Sequence, residues 1–216
     1  MNPVDPRLYL VVGPDDCRHH PLAELVRAAV AGGVTLVQLR AKHASSREWL
    51  TLTANLRQAL ASSAVPLLIN DRVDIALAGG ADGVHLGQED MPVADARRLL
   101  GERAIIGLTV RSVAEAEAAP VELLDYVSIG GVFTTRSKNN PNAPIGLAGL
   151  ASIVAVLRQR CRLPLCAIAG IDATTATTVW STGVDGIAVI SAITHAADPQ
   201  QAAHKLLTQS NPGSRS

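Results

Sequence analysis

Eight times along the chain a short apolar run ends in glycine or polar residues and gives way to a stretch with helical periodicity. The runs fall at residues 7–13, 34–39, 67–69, 83–86, 104–109, 124–129, 165–169 and 186–190. The helical stretches fall at 21–31, 45–61, 73–78, 92–100, 112–118, 147–160, 173–182 and 198–207. Apolar residues at Leu22, Leu25, Val26 and Ala29, stopped by Gly32-Gly33, show the helical pattern in its simplest form. Strands alternating with helices imply a parallel sheet. Eight such units without a composition break or linker predict an α/β fold closed as a (β/α)8 TIM barrel, with an open doubly wound sheet as the alternative. The 216 residues fit one domain, with an ordered core over about 7–209 and a frayed tail at 210–216.

Composition narrows the function classes. Hydrophobic residues make up 48% of the chain, enough for a large core, and the formal net charge is zero. A neutral chain with 2% aromatic residues lacks both the bulk charge and the stacking platforms of a nucleic-acid binder. Cys17, Cys161 and Cys166 form no CxxC pair and are odd in number, which points to a reducing, cytoplasmic setting rather than a disulfide scaffold. No apolar run reaches the length of a membrane span. The opening MNPVDPRLYL has no basic stretch followed by an apolar one, which argues against a signal peptide. No nucleic-acid or membrane partner is expected; the oligomeric state is left open, a homo-oligomer being compatible with the sequence.

A barrel places its reactive groups at the C-terminal ends of the strands. On the second strand one face reads Val34, Leu36, Gln38, Arg40, Lys42: apolar below, polar and cationic above, as an anion site at a barrel mouth requires. Strand three ends in Asn70-Asp71, and Glu89-Asp90 lies just past strand four. Consecutive parallel strands put Asp71 and Asp90 on one edge, where two carboxylates with a hard cation such as Mg²⁺ between them make a metal site. The same residues also suit N-cap positions of the helices starting near Arg72 and Pro92. After strand six comes a long polar loop, 132–145, whose Thr134 to Asn140 segment carries hydroxyls and cations suited to phosphate oxygens. Gly170 after strand seven and Ser191 after strand eight occupy the loops where barrels often bind phosphate. His85, inside strand four, is expected to be a packed, hydrogen-bonded core residue. The remaining histidines share no ligand spacing, and GxGxxG, P-loop and Ser-His-Asp patterns are absent. Two carboxylates for a metal and two phosphate-friendly clusters imply two small phosphorylated ligands, or one long one, and Mg²⁺ with diphosphate suggests pyrophosphate as a leaving group.

The motifs VQLRAK (37–42), INDRVDIAL (69–77), DGVHLGQEDMP (82–92), TTRSK (134–138) and DGIAVISAI (185–193) resemble the thiamine phosphate synthase family, in the same order over most of the chain. The resemblance implies a TIM barrel. It implies an enzyme that joins 4-amino-2-methyl-5-hydroxymethylpyrimidine diphosphate to 4-methyl-5-(2-phosphoethyl)thiazole, or its carboxylated form, giving thiamine phosphate and pyrophosphate. By position it assigns Gln38, Leu39, Arg40, Ala41, Lys42, Asn70, Thr109 and Lys138 to the pyrimidine diphosphate. Thr135, Arg136, Ser137, Gly170, Ile190 and Ser191 go to the thiazole phosphate, and Asp71 and Asp90 to Mg²⁺. Arg40, Lys42, Thr109 and Lys138 are the implied catalytic groups, with Lys138 carried onto the leaving diphosphate by a loop that orders over the ligands. Three departures stand out: Thr109 replaces the usual Ser, Ala169 replaces the first of two glycines, and NNPNAPIG follows Lys138. The thiazole tautomerases share the barrel and much of the pattern; they and a non-catalytic phosphate-ligand sensor are the alternatives.

Overall fold

The structure, a computed structural model, describes residues 4–135 and 143–209. Its elements in order are β1 (Leu8–Val12), α1 (Leu22–Ala31), β2 (Leu36–Leu39), α2 (Ser46–Leu60), β3 (Leu67–Asn70), α3 (Val73–Gly79), β4 (Gly83–Leu86), α4 (Val93–Leu100) and β5 (Ile105–Val110). There follow α5 (Val113–Ala118), β6 (Tyr126–Ile129), α6 (Gly146–Arg160), β7 (Leu165–Ile168), α7 (Ala176–Trp180), β8 (Gly186–Val189), α8 (Ser191–Thr194) and α9 (Pro199–Thr208). The strands pair in sequence order, all parallel, and β1 closes on β8. This is the eight-stranded TIM barrel expected from the alternation, and the open sheet is excluded.

Local chemistry sets the boundaries. Ser45 starts α2 with a capping box: Glu48 N–H donates to its hydroxyl at 3.4 Å, and Ser45 N–H donates to the Glu48 carboxylate at 2.7 Å. Gly80, at φ +63°, ends α3 in the left-handed conformation that a side chain disfavours. Two helices differ from expectation. α7 begins at Ala176 rather than 173, because the Asp172 carboxylate takes the N–H groups of Thr174 and Thr175 at 2.8 and 3.2 Å and holds them in a turn. The four-residue α8 is additional; it is too short to leave a periodic signal.

The core has two compartments. The larger lies between barrel and helices and includes Leu8, Leu10, Val12, Leu39 and Ile69. The smaller fills the lumen with Tyr9, Val11, Leu36, Leu68, Tyr126, Cys166 and Ala188. At the N-terminal end of the barrel the register is pinned by one device used three times. Asp82, Asp125 and Asp185, each one residue before a strand, accept the backbone N–H of Leu67, Ile106 and Leu165 on the preceding strand at 2.7, 2.8 and 2.7 Å. Arg97 and Arg158 in turn pair with Asp125 and Asp185 at 2.7 and 2.6 Å. With the lower end locked, the strand tips at the other end converge on one opening.

Candidate active site

That opening is a cavity of about 660 Å³ at the C-terminal ends of the strands. Of the positions singled out in the sequence, Gln38, Arg40, Asn70, Thr109, Thr135, Gly170, Ile190 and Ser191 line it. They come from five of the strand ends and the loop after β6, because alternate residues on each strand face the lumen. Leu39 and Ala41 are buried in the outer core, so their side chains turn away from the cavity. Lys42 lies beyond the end of β2 and outside the cavity lining. Its ammonium is half-exposed and sits 3.6 Å from the Asp71 carboxylate. Arg136, Ser137 and Lys138, and with them the ordering of their loop over the ligands, lie outside the described residues.

Asp71 and Asp90 meet just past the ends of β3 and β4, outside the cavity lining. The Asp71 backbone N–H donates to His85 C=O at 2.9 Å, tying the tip of β3 to β4, and the residue is held at φ +63°. Asp90 accepts the N–H of Gly87 at 2.7 Å. Neither caps a helix: the N-cap positions of α3 and α4 are held by Arg72 and Pro92, without a side-chain cap hydrogen bond, so the N-cap alternative fails. The Asp71 carboxyl is raised above the ordinary carboxylate range, first by burial and next by the Asp90 carboxylate beside it; Lys42 and Asn70 pull it down. Two carboxylates facing each other are a donor set suited to a hard divalent cation. They are a pair: among the described residues no three His, Cys, Asp or Glu side chains cluster to hold a metal.

Several lining residues carry no mark in the sequence. Asp16 and Arg18, from the loop after β1, join Arg111, Ser128 and His195 around the cavity. The Asp16 carboxyl is raised by burial, against the opposing pull of Gly13 N–H, which donates to it at 2.9 Å, and of the Arg40 guanidinium. Arg111 shares the lumen-facing register of Thr109, so strand alternation carried one residue past β5 locates it. His85 is buried and hydrogen-bonded, as expected, and it also faces the cavity: it bonds to Tyr126 at 2.6 Å and to Thr109 at 2.7 Å. Tyr9 and Tyr126, the only two tyrosines in the sequence, meet inside the lumen at 2.9 Å.

Ala169 stands at φ +98° and Gly170 at +66° where β7 runs into the cavity wall. A Cβ on Gly170 would meet Thr134 C=O at 2.5 Å and the Phe133 Cβ at 2.7 Å. The backbone after β7 therefore packs directly on the start of the loop after β6, and Phe133 N–H donates to Ala169 C=O at 3.0 Å.

A thiamine monophosphate synthase family model matches residues 8–193. The chain belongs to that family. Curated relatives agree in extent: the thiamine-phosphate synthase of Agrobacterium fabrum is 50% identical over 199 residues, 92% of this chain and 90% of that protein. The thiamine-phosphate synthase of Leptospira biflexa is 45% identical over 206 residues, 94% of this chain and 96% of that one. Among solved structures, a thiamine phosphate pyrophosphorylase from Pyrococcus furiosus superimposes with a TM-score of 0.82 at 39% identity, covering 95% of this chain and 96% of its own. Family membership thus extends over the whole barrel, and every strand end that lines the cavity lies within the matched region.

Proposed function

We propose that the protein condenses 4-amino-2-methyl-5-hydroxymethylpyrimidine diphosphate with 4-methyl-5-(2-phosphoethyl)thiazole, or with its carboxylated form and loss of carbon dioxide, releasing thiamine phosphate and pyrophosphate with Mg²⁺ as cofactor. Synthase relatives at 42–50% identity over nearly the full chain support the reaction. The observation that carries the division of labour is the arrangement of the cavity. Cationic and amide side chains from β2 and β3 stand on one side, and glycine and hydroxyl groups after β6, β7 and β8 on the other. The curated relatives cited bear the synthase name and the solved structure the pyrophosphorylase name, and the Asp71–Asp90 pair has no use in a phosphate sensor.

In this reading Gln38, Asn70 and Thr109 hold the pyrimidine, while Arg40 and Lys42 hold the diphosphate. Thr135, Gly170, Ile190 and Ser191 hold the thiazole phosphate, joined by Arg136 and Ser137; Lys138 contacts the diphosphate. The C–O bond between the exocyclic methylene and the diphosphate breaks, its electron pair leaving with pyrophosphate. The 4-amino nitrogen feeds electrons into the ring as this happens, and the thiazole nitrogen then forms the new C–N bond. The chain's own work is to align nucleophile and methylene and to offer fixed positive charge where the leaving oxygen becomes negative. Asp71 and Asp90 would hold Mg²⁺, which when bound supplies further positive charge for the pyrophosphate oxygens. Lys42, 3.6 Å from Asp71, is placed to pass between the carboxylate and a phosphate oxygen.

The test is steady-state pyrophosphate release with each substrate varied separately, with Mg²⁺ and with a chelator. Wild-type protein should require both substrates and the metal. Arg40→Ala should raise KM for the pyrimidine diphosphate and Ser191→Ala that for the thiazole phosphate; the opposite pairing would reverse the two pockets.

A further inference from the structure

The lumen beneath the cavity holds an unbroken file of polar groups in an otherwise apolar layer. The Gln38 amide nitrogen bonds to the Tyr9 hydroxyl, and the Tyr9 and Tyr126 hydroxyls meet at 2.9 Å. Tyr126 lies 2.6 Å from His85 Nδ1, and His85 Nε2 lies 2.7 Å from Thr109 Oγ1. The barrel is built to admit this file. Gly107, paired in register with Tyr126, has no Cβ because one would sit 2.1 Å from the Tyr126 ring. Tyr9 and Tyr126 are 1% and 0% exposed, and their rings meet edge-on.

The direction of the file follows from its first member. An amide nitrogen can only donate. Tyr9 oxygen therefore accepts from Gln38, and the Tyr9 hydrogen goes to Tyr126 oxygen. The Tyr126 hydrogen goes to His85 Nδ1. With Nδ1 accepting, the imidazole hydrogen sits on Nε2 and is donated to Thr109 Oγ1. Two groups are left over, one at each end: the Gln38 carbonyl oxygen and the Thr109 hydroxyl hydrogen. Neither has a partner among the described residues, and both side chains line the cavity. Burial raises both phenols above their ordinary range, so the hydroxyl hydrogens stay in place at working pH.

We infer that Tyr9, Tyr126 and His85 are positioning residues, which fix Gln38 with its carbonyl, and Thr109 with its hydroxyl hydrogen, toward the bound aminopyrimidine. The inference rests on the assignment of Gln38 and Thr109 to the pyrimidine subsite. Its chemical consequence is specific. As the diphosphate departs, the 4-amino nitrogen gives up electron density and its N–H groups become stronger donors. A carbonyl held against them stabilises the transition state more than the ground state. At the other end, a fixed hydroxyl donor meets a ring nitrogen or a phosphate oxygen, both acceptors. An amide turned end for end would reverse the file and present a donor to a donor.

Two measurements decide it. In ¹⁵N-labelled wild-type protein, the imidazole shifts of His85 should show a bare Nδ1 and a protonated Nε2; the opposite tautomer, or an imidazolium, overturns the assigned direction whatever the variants do. Tyr9→Phe removes one oxygen and leaves Gln38 free to turn. It should lower kcat by about 10-fold or more, the scale of misaligning one charge-stabilising contact, and raise KM for the pyrimidine diphosphate, with KM for the thiazole phosphate unchanged. Combined with Gln38→Ala, Tyr9→Phe should cost nothing beyond Gln38→Ala alone. Additive losses, or both KM values rising together, would return Tyr9 to a purely structural role. If Gln38→Ala itself leaves the pyrimidine kinetics untouched, the subsite assignment fails instead, and the tautomer result still reports on the file. Should Tyr9→Phe not fold, the tautomer alone settles the direction.

Discussion

At Ala169 the backbone holds φ at +98°, a region where a side chain is strained, on the wall of the cavity beside Gly170. A non-glycine residue forced to positive φ costs about 1–2 kcal/mol, against about 0.4–1 kcal/mol for the extra freedom glycine gains in the unfolded chain. Ala169→Gly should therefore raise Tm by up to a few degrees in a calorimetric scan, while Ala169→Val, with a branched Cβ, should lower it sharply. A lower Tm for the glycine variant would show that the alanine methyl makes contacts worth more than the strain. The site was legible at this scale where strand alternation holds. Gln38 and Arg40 follow from the pattern of β2, and both line the cavity. Past the strand end the alternation no longer fixes position: β2 stops at Leu39, Arg40 still lines the cavity, and Lys42 lies outside the lining with its ammonium 3.6 Å from Asp71. Tyr9 and Tyr126 were hidden because an aromatic residue inside an apolar run reads as core, and only closure of the barrel brings their hydroxyls together.

The eight strand-helix units could be placed from periodicity, helped by signals such as Ser45 before α2 and Gly80 after α3, whereas α8, a single turn, could not. The contacts that fix one element against the next are less visible in sequence. Asp125 is the strongest case: its carboxylate accepts Ile106 N–H from β5 and the Arg97 guanidinium of α4, and Arg97 also donates to the carbonyls of Leu123 and Ala104. The pair is only 12% and 24% exposed. Removing one partner leaves a mostly buried guanidinium and a strand N–H uncompensated, at about 3 kcal/mol. For a chain of this size each kcal/mol moves Tm by about 2–4 °C, so Asp125→Ala should melt roughly 6–12 °C lower. Because the contact lies at the far end of the barrel from the cavity, kcat below the transition should stay within about twofold of wild type, surface and scaffold changes being felt through stability rather than chemistry. Asp185→Ala, whose Arg158 partner is 35% exposed, should cost less. Equal losses in the two variants would mean that burial does not set the strength of these pins.

For the molecule as a whole, the carboxylate pair ties folding to pH and, in the proposed reading, to a divalent cation. The Asp71 carboxyl is raised by burial first and by Asp90 next. A raised folded value means that the native state keeps a proton the unfolded chain has released. The contribution to stability is intact below the ordinary carboxylate value of about 4 and is lost as pH rises through the raised one. At neutral pH the pair is thus a net cost, one that a cation bound between the carboxylates would remove. A ligand that binds only the folded state adds stability as its concentration exceeds its dissociation constant. Mg²⁺ should accordingly raise Tm at pH 7, and the rise should shrink as pH falls toward about 4 and Asp71 takes up its proton. Asp71→Asn tests the link from the other side. Asparagine carries no charge to repel Asp90 and is among the residues best tolerated at the φ of +63° found there. Without metal the variant should melt above wild type at pH 7, Mg²⁺ should add little to it, and pyrophosphate release should fall by about 10²-fold or more, the scale of losing a main electrostatic contact to the leaving group. A variant whose Tm still climbs with Mg²⁺ as far as wild type does would place the cation elsewhere, and a variant less stable than wild type without metal would show that Lys42 already outweighs the repulsion of Asp90.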